Sequence, residues 1–317
     1  YASAASVSDV QVASAPLSTR ASAMNGMVRV YLSSLGNPSR LDLTVVGNYS
    51  ISTTGEFIAS GSSLTVGFSS STGAITLTHN GVKTNMGTSF SLRRHSASGT
   101  NGIKISQARE SNNPYPGDLT FKAVSSGGRY TLYTIANIYI ENYLYGVLPY
   151  EMGNSTNIEA LKAQAVCART YAVCQTKHRA QGFDICATTH CQVYQGTAAS
   201  GANSDAAVDQ TAGEFLYYSG RLVQEAVYYS SNGGASEDSL NVWGNDVGYL
   251  KGKIDPYEGK IASIIPRYNW STTFTASELT TLLNNRGYGI GTVKNAYVSA
   301  YTDTGNVYSV TFTGTSG

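Results

Sequence analysis

Residues Ser155-Thr-Asn-Ile-Glu-Ala-Leu-Lys-Ala-Gln-Ala-Val-Cys-Ala-Arg-Thr-Tyr-Ala-Val-Cys-Gln-Thr-Lys-His178 are rich in Ala and contain neither Gly nor Pro. Thr156 and Glu159 form a T-x-x-E capping box at one end and Gly182 supplies a stop beyond the other, so the spacing predicts one long helix. That helix divides the chain. Before it, Val28-Arg-Val-Tyr-Leu, Leu41-Asp-Leu-Thr-Val-Val, Tyr49-Ser-Ile-Ser, Leu64-Thr-Val-Gly-Phe, Ala74-Ile-Thr-Leu-Thr and Phe90-Ser-Leu-Arg follow in short steps. Turn signals at Gly47-Asn48, Gly55, Gly61, Gly73 and Asn80-Gly81 separate them. Alternation between closely spaced turns predicts short antiparallel strands over residues 28–125. Tyr130 to Glu141 alternates too, and leads into Tyr143-Leu-Tyr-Gly-Val-Leu-Pro-Tyr-Glu-Met152.

Beyond the helix the pattern predicts a loop at 183–200, a helix at Ala202–Gln210, and strands at Glu214–Tyr218 and Ala226–Ser230. A second capped helix follows Thr275-x-x-Glu278, and a hairpin turns at Asp303-Thr-Gly-Asn. The fold class is therefore α+β, with a flexible leader (1–25) and an antiparallel β-rich part (26–128). A mixed α/β part with one long central helix follows (129–317), and the abrupt end at Gly317 suggests a missing terminal element.

Composition narrows the function. Of 317 residues only 13% are charged, and 21 Lys+Arg against 20 Asp+Glu leave a net charge of +1. Such a chain has no basic field to gather phosphate backbones, which argues against a nucleic-acid partner. No apolar run approaches the ~18 residues of a membrane span. Poverty in charge with 33 Gly, 23 Tyr and much Ser, Thr and Asn points to an exported protein, and the start at Tyr1 reads as a cut after a removed export or anchor segment. Only Asp9, Asp42, Glu56 and Glu110 supply carboxylates in the first 110 residues, so acid/base chemistry is expected after them.

Glu151, between an apolar stretch and the helix and flanked by Pro149, Tyr150 and Met152, is placed where a carboxyl can be kept protonated as a general acid. Taken alone, a loop Glu stabilising the next helix start is the simpler reading. Along the helix Lys162 and Arg169 share one face, while Cys167, Tyr171, Cys174 and His178 share nearly the opposite one. Arg169 has apolar neighbours on both sides, a setting in which Arg pairs with a carboxylate or a polar ligand. Cys167 and Cys174 lie about 10 Å apart along a helix, too far for a disulfide. Cys174 and His178 with Cys186-x4-Cys191 offer soft N/S ligands of the kind zinc takes. A Cys186–Cys191 disulfide is the competing reading. Ser230-Ser-Asn-Gly-Gly-Ala-Ser236 is a loop that would bind sugar hydroxyls or simply turn the chain.

From about Arg129 to Trp270 these blocks resemble the stage II sporulation protein D and amidase-enhancer family. The resemblance is carried by Tyr143-Leu-Tyr-Gly-Val-Leu-Pro-Tyr-Glu-Met, Glu159-Ala-Leu-Lys-Ala-Gln-Ala-Val-Cys-Ala-Arg-Thr-Tyr-Ala and Thr188-Thr-His-Cys-Gln-Val-Tyr-Gln-Gly. Thr211-Ala-Gly-Glu-Phe-Leu-Tyr-Tyr, Tyr229-Ser-Ser-Asn-Gly-Gly-Ala-Ser, Val242-Trp-Gly and Tyr249-Leu-Lys continue it in order. It implies a lytic transglycosylase that cleaves the β-1,4 bond between N-acetylmuramic acid and N-acetylglucosamine in peptide-stripped peptidoglycan, in sporulation or wall remodelling. Glu151 falls on the catalytic Glu, and Lys162, Arg169, Gln192, Ser236, Tyr249 and Lys251 fall on the substrate groove. Ser236 stands where many members carry Thr. Zinc, where members bind it, would be held by His178, Cys186 and Cys191, with His190 or Cys174 replacing or completing the set. Partners implied are glycan strands and a wall amidase, at the cell wall or the outer membrane face. Two other readings stay open: a glycan hydrolase, needing Asp184, Glu237 or Asp238 opposite Glu151, and a non-catalytic wall-binding module that stimulates an amidase.

Overall fold

The computed structural model describes residues 10–14 (backbone only), 26–96, 101–197 and 201–317. The chain divides into two compact units, Tyr1–Val227 and Tyr228–Gly317. In the first, a seven-stranded sheet has the order Ile185–Cys186, Met27–Tyr31, Arg129–Tyr139, Asp118–Ser126, Ser89–Arg94, Tyr49–Ile51, Phe57–Ile58. A five-stranded antiparallel sheet has the order Gly102–Ile105, Arg40–Val46, Ser63–Phe68, Ile75–His79, Val82–Asn85. Alternation builds both: in Arg40–Val46, Leu41, Leu43 and Val45 point inward, and Leu64, Val66 and Phe68 do the same in the paired strand.

The expected boundary at 128/129 is not a structural one. Arg129–Tyr139 pairs over Arg129–Asn137 with Asp118–Ser126, and over Ile135–Tyr139 with Met27–Tyr31, so the β-rich part and the segment after it share sheet and core. Nor is the leader wholly without structure: Val10–Ser14 pairs antiparallel with Glu214–Tyr218. The rest of 1–25 lies outside the described residues, apart from that strand. Arg221–Leu222 occupies the other edge of Glu214–Tyr218. Ala226–Ser230 is irregular, contrary to the expected strand, and the division between the two units falls within it.

Among the described residues the α-helices are α1 (Ile140–Tyr145), α2 (Leu148–Glu151), α3 (Ile158–Cys174), α4 (Ala202–Gln210), α5 (Ser239–Trp243) and α6 (Ala276–Asn285). The long predicted helix is α3, but with different ends. Its cap is Asn157, whose side chain accepts from Glu159 N, because the Thr156 hydroxyl is spent on the Met152 carbonyl. It stops at Cys174, where Gln175 turns extended, and Gly182 instead closes a short 3₁₀ turn over Arg179–Gln181. In the second unit the predicted capping box Thr275/Glu278 starts α6, and Val293–Tyr301 pairs with Val307–Gly314 as the expected hairpin.

One ion pair joins the helices of the first unit. Arg169 on α3 has no exposed surface, and its Nε and Nη2 donate to Glu141 of α1 at 3.1 and 2.6 Å. Its remaining donors reach the Val208 carbonyl of α4 (3.3 Å), Thr211 Oγ1 (3.4 Å) and the Glu214 carbonyl (3.3 Å). Glu141 Oε1 also accepts from Gly213 N at 3.2 Å. Removing one partner strands a buried charge, so Arg169→Met should cost about 3–5 kcal/mol in urea unfolding, while the double change Glu141→Leu/Arg169→Met should recover part of it. An unfolding midpoint unmoved by Arg169→Met would show the pair to be dispensable.

Candidate functional site

Pro149 sits in the first turn of α2, where its missing N–H costs nothing, and buried Leu148 pins the turn. Glu151 closes that turn, with its N–H on the Val147 carbonyl at 3.1 Å, and its side chain is half-buried. Tyr150 beside it accepts a hydrogen bond from Asn113 Nδ2 at 3.3 Å, and the same amide donates to the Gln195 carbonyl at 2.8 Å. The strap 192–196 lies tight against the joint between α1 and α2. A Cβ on Gly146 would come within 2.4 Å of the Tyr194 ring and 2.6 Å of the Gly196 carbonyl, so only Gly fits there. Gln192 is 1% exposed; it accepts from Tyr143 Oη at 3.0 Å and donates to the Ala168 carbonyl at 3.3 Å.

These partners alter the roles expected of the groove residues. Arg169 and Gln192 are buried in the framework, so any influence they have on a polymer passes through the elements they position. Lys162 is partly exposed and pairs with Glu159 at 2.7 Å across one helical turn, a weak and displaceable contact. Asp184, one carboxylate that a hydrolase would need, is instead locked by Arg29 through contacts of 2.8, 2.9 and 3.1 Å. Glu141, Asn113 and the Tyr150 contact have no signature in local spacing; only the fold brings them together.

The soft side chains do converge. Ligand atoms of His178, Cys186, His190 and Cys191 all lie within 4.8 Å of one another. Cys186 Sγ is 3.1 Å from Cys191 Sγ and 3.4 Å from His190 Nδ1, and Cys191 Sγ is 3.4 Å from His178 Nε2. A tetrahedral zinc with bonds of about 2.0–2.3 Å would set its ligands roughly 3.3–3.8 Å apart. The His178 Nδ1 contact to Gln181 Oε1 at 2.9 Å fixes the ring so that Nε2 faces the sulfurs. Phe183 stacks on the same ring at 4.8 Å. The group can hold a metal, and His190 completes the predicted trio as a fourth donor. All four cysteines are thiols, so no Cys186–Cys191 disulfide is present. Cys174 is not a ligand: its thiol donates to the Val223 carbonyl at 3.0 Å. Burial pushes the Cys191 thiol up to about 11, and a bound cation would act in the opposite sense.

Residues 129–218 match the SpoIID family model, described as stage II sporulation protein. That segment is SpoIID-like. The chain is 41% identical over 138 residues to the amidase enhancer of Bacillus subtilis (strain 168), covering 44% of this chain and 18% of that protein. It is 31% identical over 161 residues to stage II sporulation protein D of the same organism, 46% of each chain. An uncharacterized protein of Brachyspira hyodysenteriae is 35% identical over 176 residues, covering 55% of this chain and 45% of that one. The chain thus spans less than half the length of these relatives. The matched segment contains Glu151, Lys162, Arg169, Gln192 and the whole His/Cys group.

Ser236, Tyr249 and Lys251 lie past the matched SpoIID residues, in the second unit. There Ser236 Oγ accepts from Lys253 N at 3.0 Å, Tyr249 is half-buried, and exposed Lys251 pairs with Asp238 at 3.2 Å and also with Asp246. Asp238 caps α5 through Leu240 N at 3.0 Å. Hydrogen bonds from Thr302, Asn241 and Asn306 hold the Glu237 carboxyl down at about 2. A carboxyl depressed in the fold stabilises it fully above the ordinary value of 4.5, and that support fades as pH falls from 4.5 toward 2. Both tryptophans, Trp243 and Trp270, are in this unit. Trp fluorescence should therefore show acid destabilisation over that window, and Glu237→Gln should flatten it; identical acid profiles for the two proteins would refute the assignment.

Proposed function

We propose that this protein is an exported lytic transglycosylase of peptidoglycan, acting on glycan strands stripped of stem peptides during sporulation or wall remodelling. The observation that carries the reading is Glu151, half-buried at the end of α2 inside the matched segment. Charge economy supports it. The glycosidic oxygen takes the Glu151 proton as the anomeric carbon becomes oxocarbenium-like. The resulting carboxylate then accepts the proton of the muramic C6 hydroxyl as that oxygen bonds to C1, leaving a 1,6-anhydro end. The nucleophile belongs to the substrate, so no second carboxylate is required, unlike in two-carboxylate hydrolases. Lys162 is a candidate glycan contact on the first unit, as are Ser236, Tyr249 and Lys251 on the second; Arg169 and Gln192 hold the framework.

His178, Cys186, His190 and Cys191 would hold zinc as a structural tie. Bound there, the ion would supply cross-linking between the segment after α3 and the strap 192–196. That the described residues include no helix long and apolar enough to cross a membrane is consistent with a wall-facing setting. The name of the B. subtilis relative favours a second reading, a non-catalytic module that stimulates a wall amidase.

One digest separates these readings. With peptide-free glycan, mass spectrometry should find 1,6-anhydro ends, and Glu151→Gln should lose about 10²–10⁴-fold in rate while staying folded. Reducing ends would mean a hydrolase; no product, with stimulation of an added amidase, would mean an enhancer. Elemental analysis should find about one zinc per chain, reduced in Cys186→Ser.

A further inference from the structure

The β-rich part reaches the neighbourhood of Glu151. Between Ile105 and Asp118 the chain makes two turns, Ala108 N to the Ile105 carbonyl at 3.0 Å and Asn113 N to the Glu110 carbonyl at 3.0 Å. The second turn is built in: Asn113 is 7% exposed and bridges Tyr150 and the Gln195 carbonyl, and Thr197 N donates to the Pro114 carbonyl at 3.1 Å. A Cβ on Gly196, whose φ is +80°, would lie 2.8 Å from both Asn113 Cβ and the Pro114 oxygen. The turn cannot drift from the strap or from α2. Its two preceding side chains, Arg109 and Glu110, are exposed.

The cations named earlier are engaged: Arg169 by Glu141, Lys162 by Glu159, Lys251 by Asp238 and Asp246. Arg109, among the described residues, forms no ion pair with a carboxylate. We infer that Arg109, carried on a turn clamped to Tyr150 by Asn113, is a carboxylate-binding subsite that recognises the acidic sugar of the strand. The inference rests on the glycan reading above and deepens it. A planar guanidinium matches a carboxylate with two parallel hydrogen bonds, and the lactyl group is the feature that distinguishes muramic acid from its neutral neighbour. The Tyr150 hydroxyl senses both side chains: burial and Glu110 raise its pKa, while the Asn113 hydrogen bond and Arg109 lower it. Glu110 makes the subsite selective rather than merely cationic, since an anion gains there only by pairing directly with Arg109.

The test measures binding, in a Glu151→Gln background in which turnover is slow. Two probes are titrated: peptide-free glycan bearing the lactyl carboxylate, and a chitin oligosaccharide of equal length that lacks it. Arg109→Ala should weaken glycan binding about tenfold or more and leave chitin binding unchanged. Arg109→Lys should recover only part, and Glu110→Gln should leave glycan binding equal or tighter. Equal loss on both probes, or no loss on glycan, overturns the inference while leaving the glycan reading intact. A parent protein that binds neither probe sinks both.

Discussion

Arg169 has no water to turn to, and its environment has been arranged so that it needs none. A guanidinium with no exposed surface must satisfy its donors inside the protein, and here Glu141, Thr211 and the Val208 and Glu214 carbonyls supply the acceptors. The acceptors lie on three elements, so one side chain ties α3 to α1, the end of α4 and the start of the strand at 214. The strand partner Val10–Ser14 pairs along that same 214–218 segment. Apolar packing alone lets helices slide; a bidentate pair in low dielectric has one geometry, and α2, four residues long and too short to stand alone, inherits its position from it.

With a metal bound, the His/Cys group would do for the strap what the ion pair does for the helices. Cys191 immediately precedes Gln192, and Gln192, Tyr194 and Gly196 pack on Tyr143, Gly146 and Asn113. Holding Cys191 to His178 and Cys186 therefore fixes the near end of the segment flanking Tyr150 and Glu151. The far end is fixed by Thr197 on Pro114. Aromatic contacts around the group, with Phe183 against Tyr31 at 5.0 Å and against His178, join it to the seven-stranded sheet.

What the sequence makes legible follows from how far each signal reaches. Alternation and Ala-rich periodicity are local, so the strand run, α3, α4, α6 and the final hairpin are visible in it. The ends of α3 are not, because two adjacent side chains, Thr156 and Asn157, compete to cap it and a tertiary contact to Met152 decides between them. The strand expected at Ala226–Ser230 is absent, and the division between the two units falls within it. His178, Cys186 and Cys191 are recognisable as soft ligands, yet the fourth donor, His190, joins them only through the turn that bonds Cys191 N to the Thr188 carbonyl. Glu141 lies 28 residues from Arg169 and Asn113 37 from Tyr150, separations that no periodicity spans.

Scarcity of charge, which first suggested only an exported chain, also restricts what each carboxylate is able to do. Asp184 is spent on Arg29, Glu141 on Arg169, Glu159 on Lys162 and Asp238 on α5 and Lys251. A mechanism that drew a second carboxylate from this set would have to break one of these contacts and leave its cation behind, a heavy cost where the pair is buried. A mechanism in which one group gives and later recovers a proton, while the substrate provides its own nucleophile, breaks none. The acid-poor part before the long helix holds a turn against Tyr150 through Asn113.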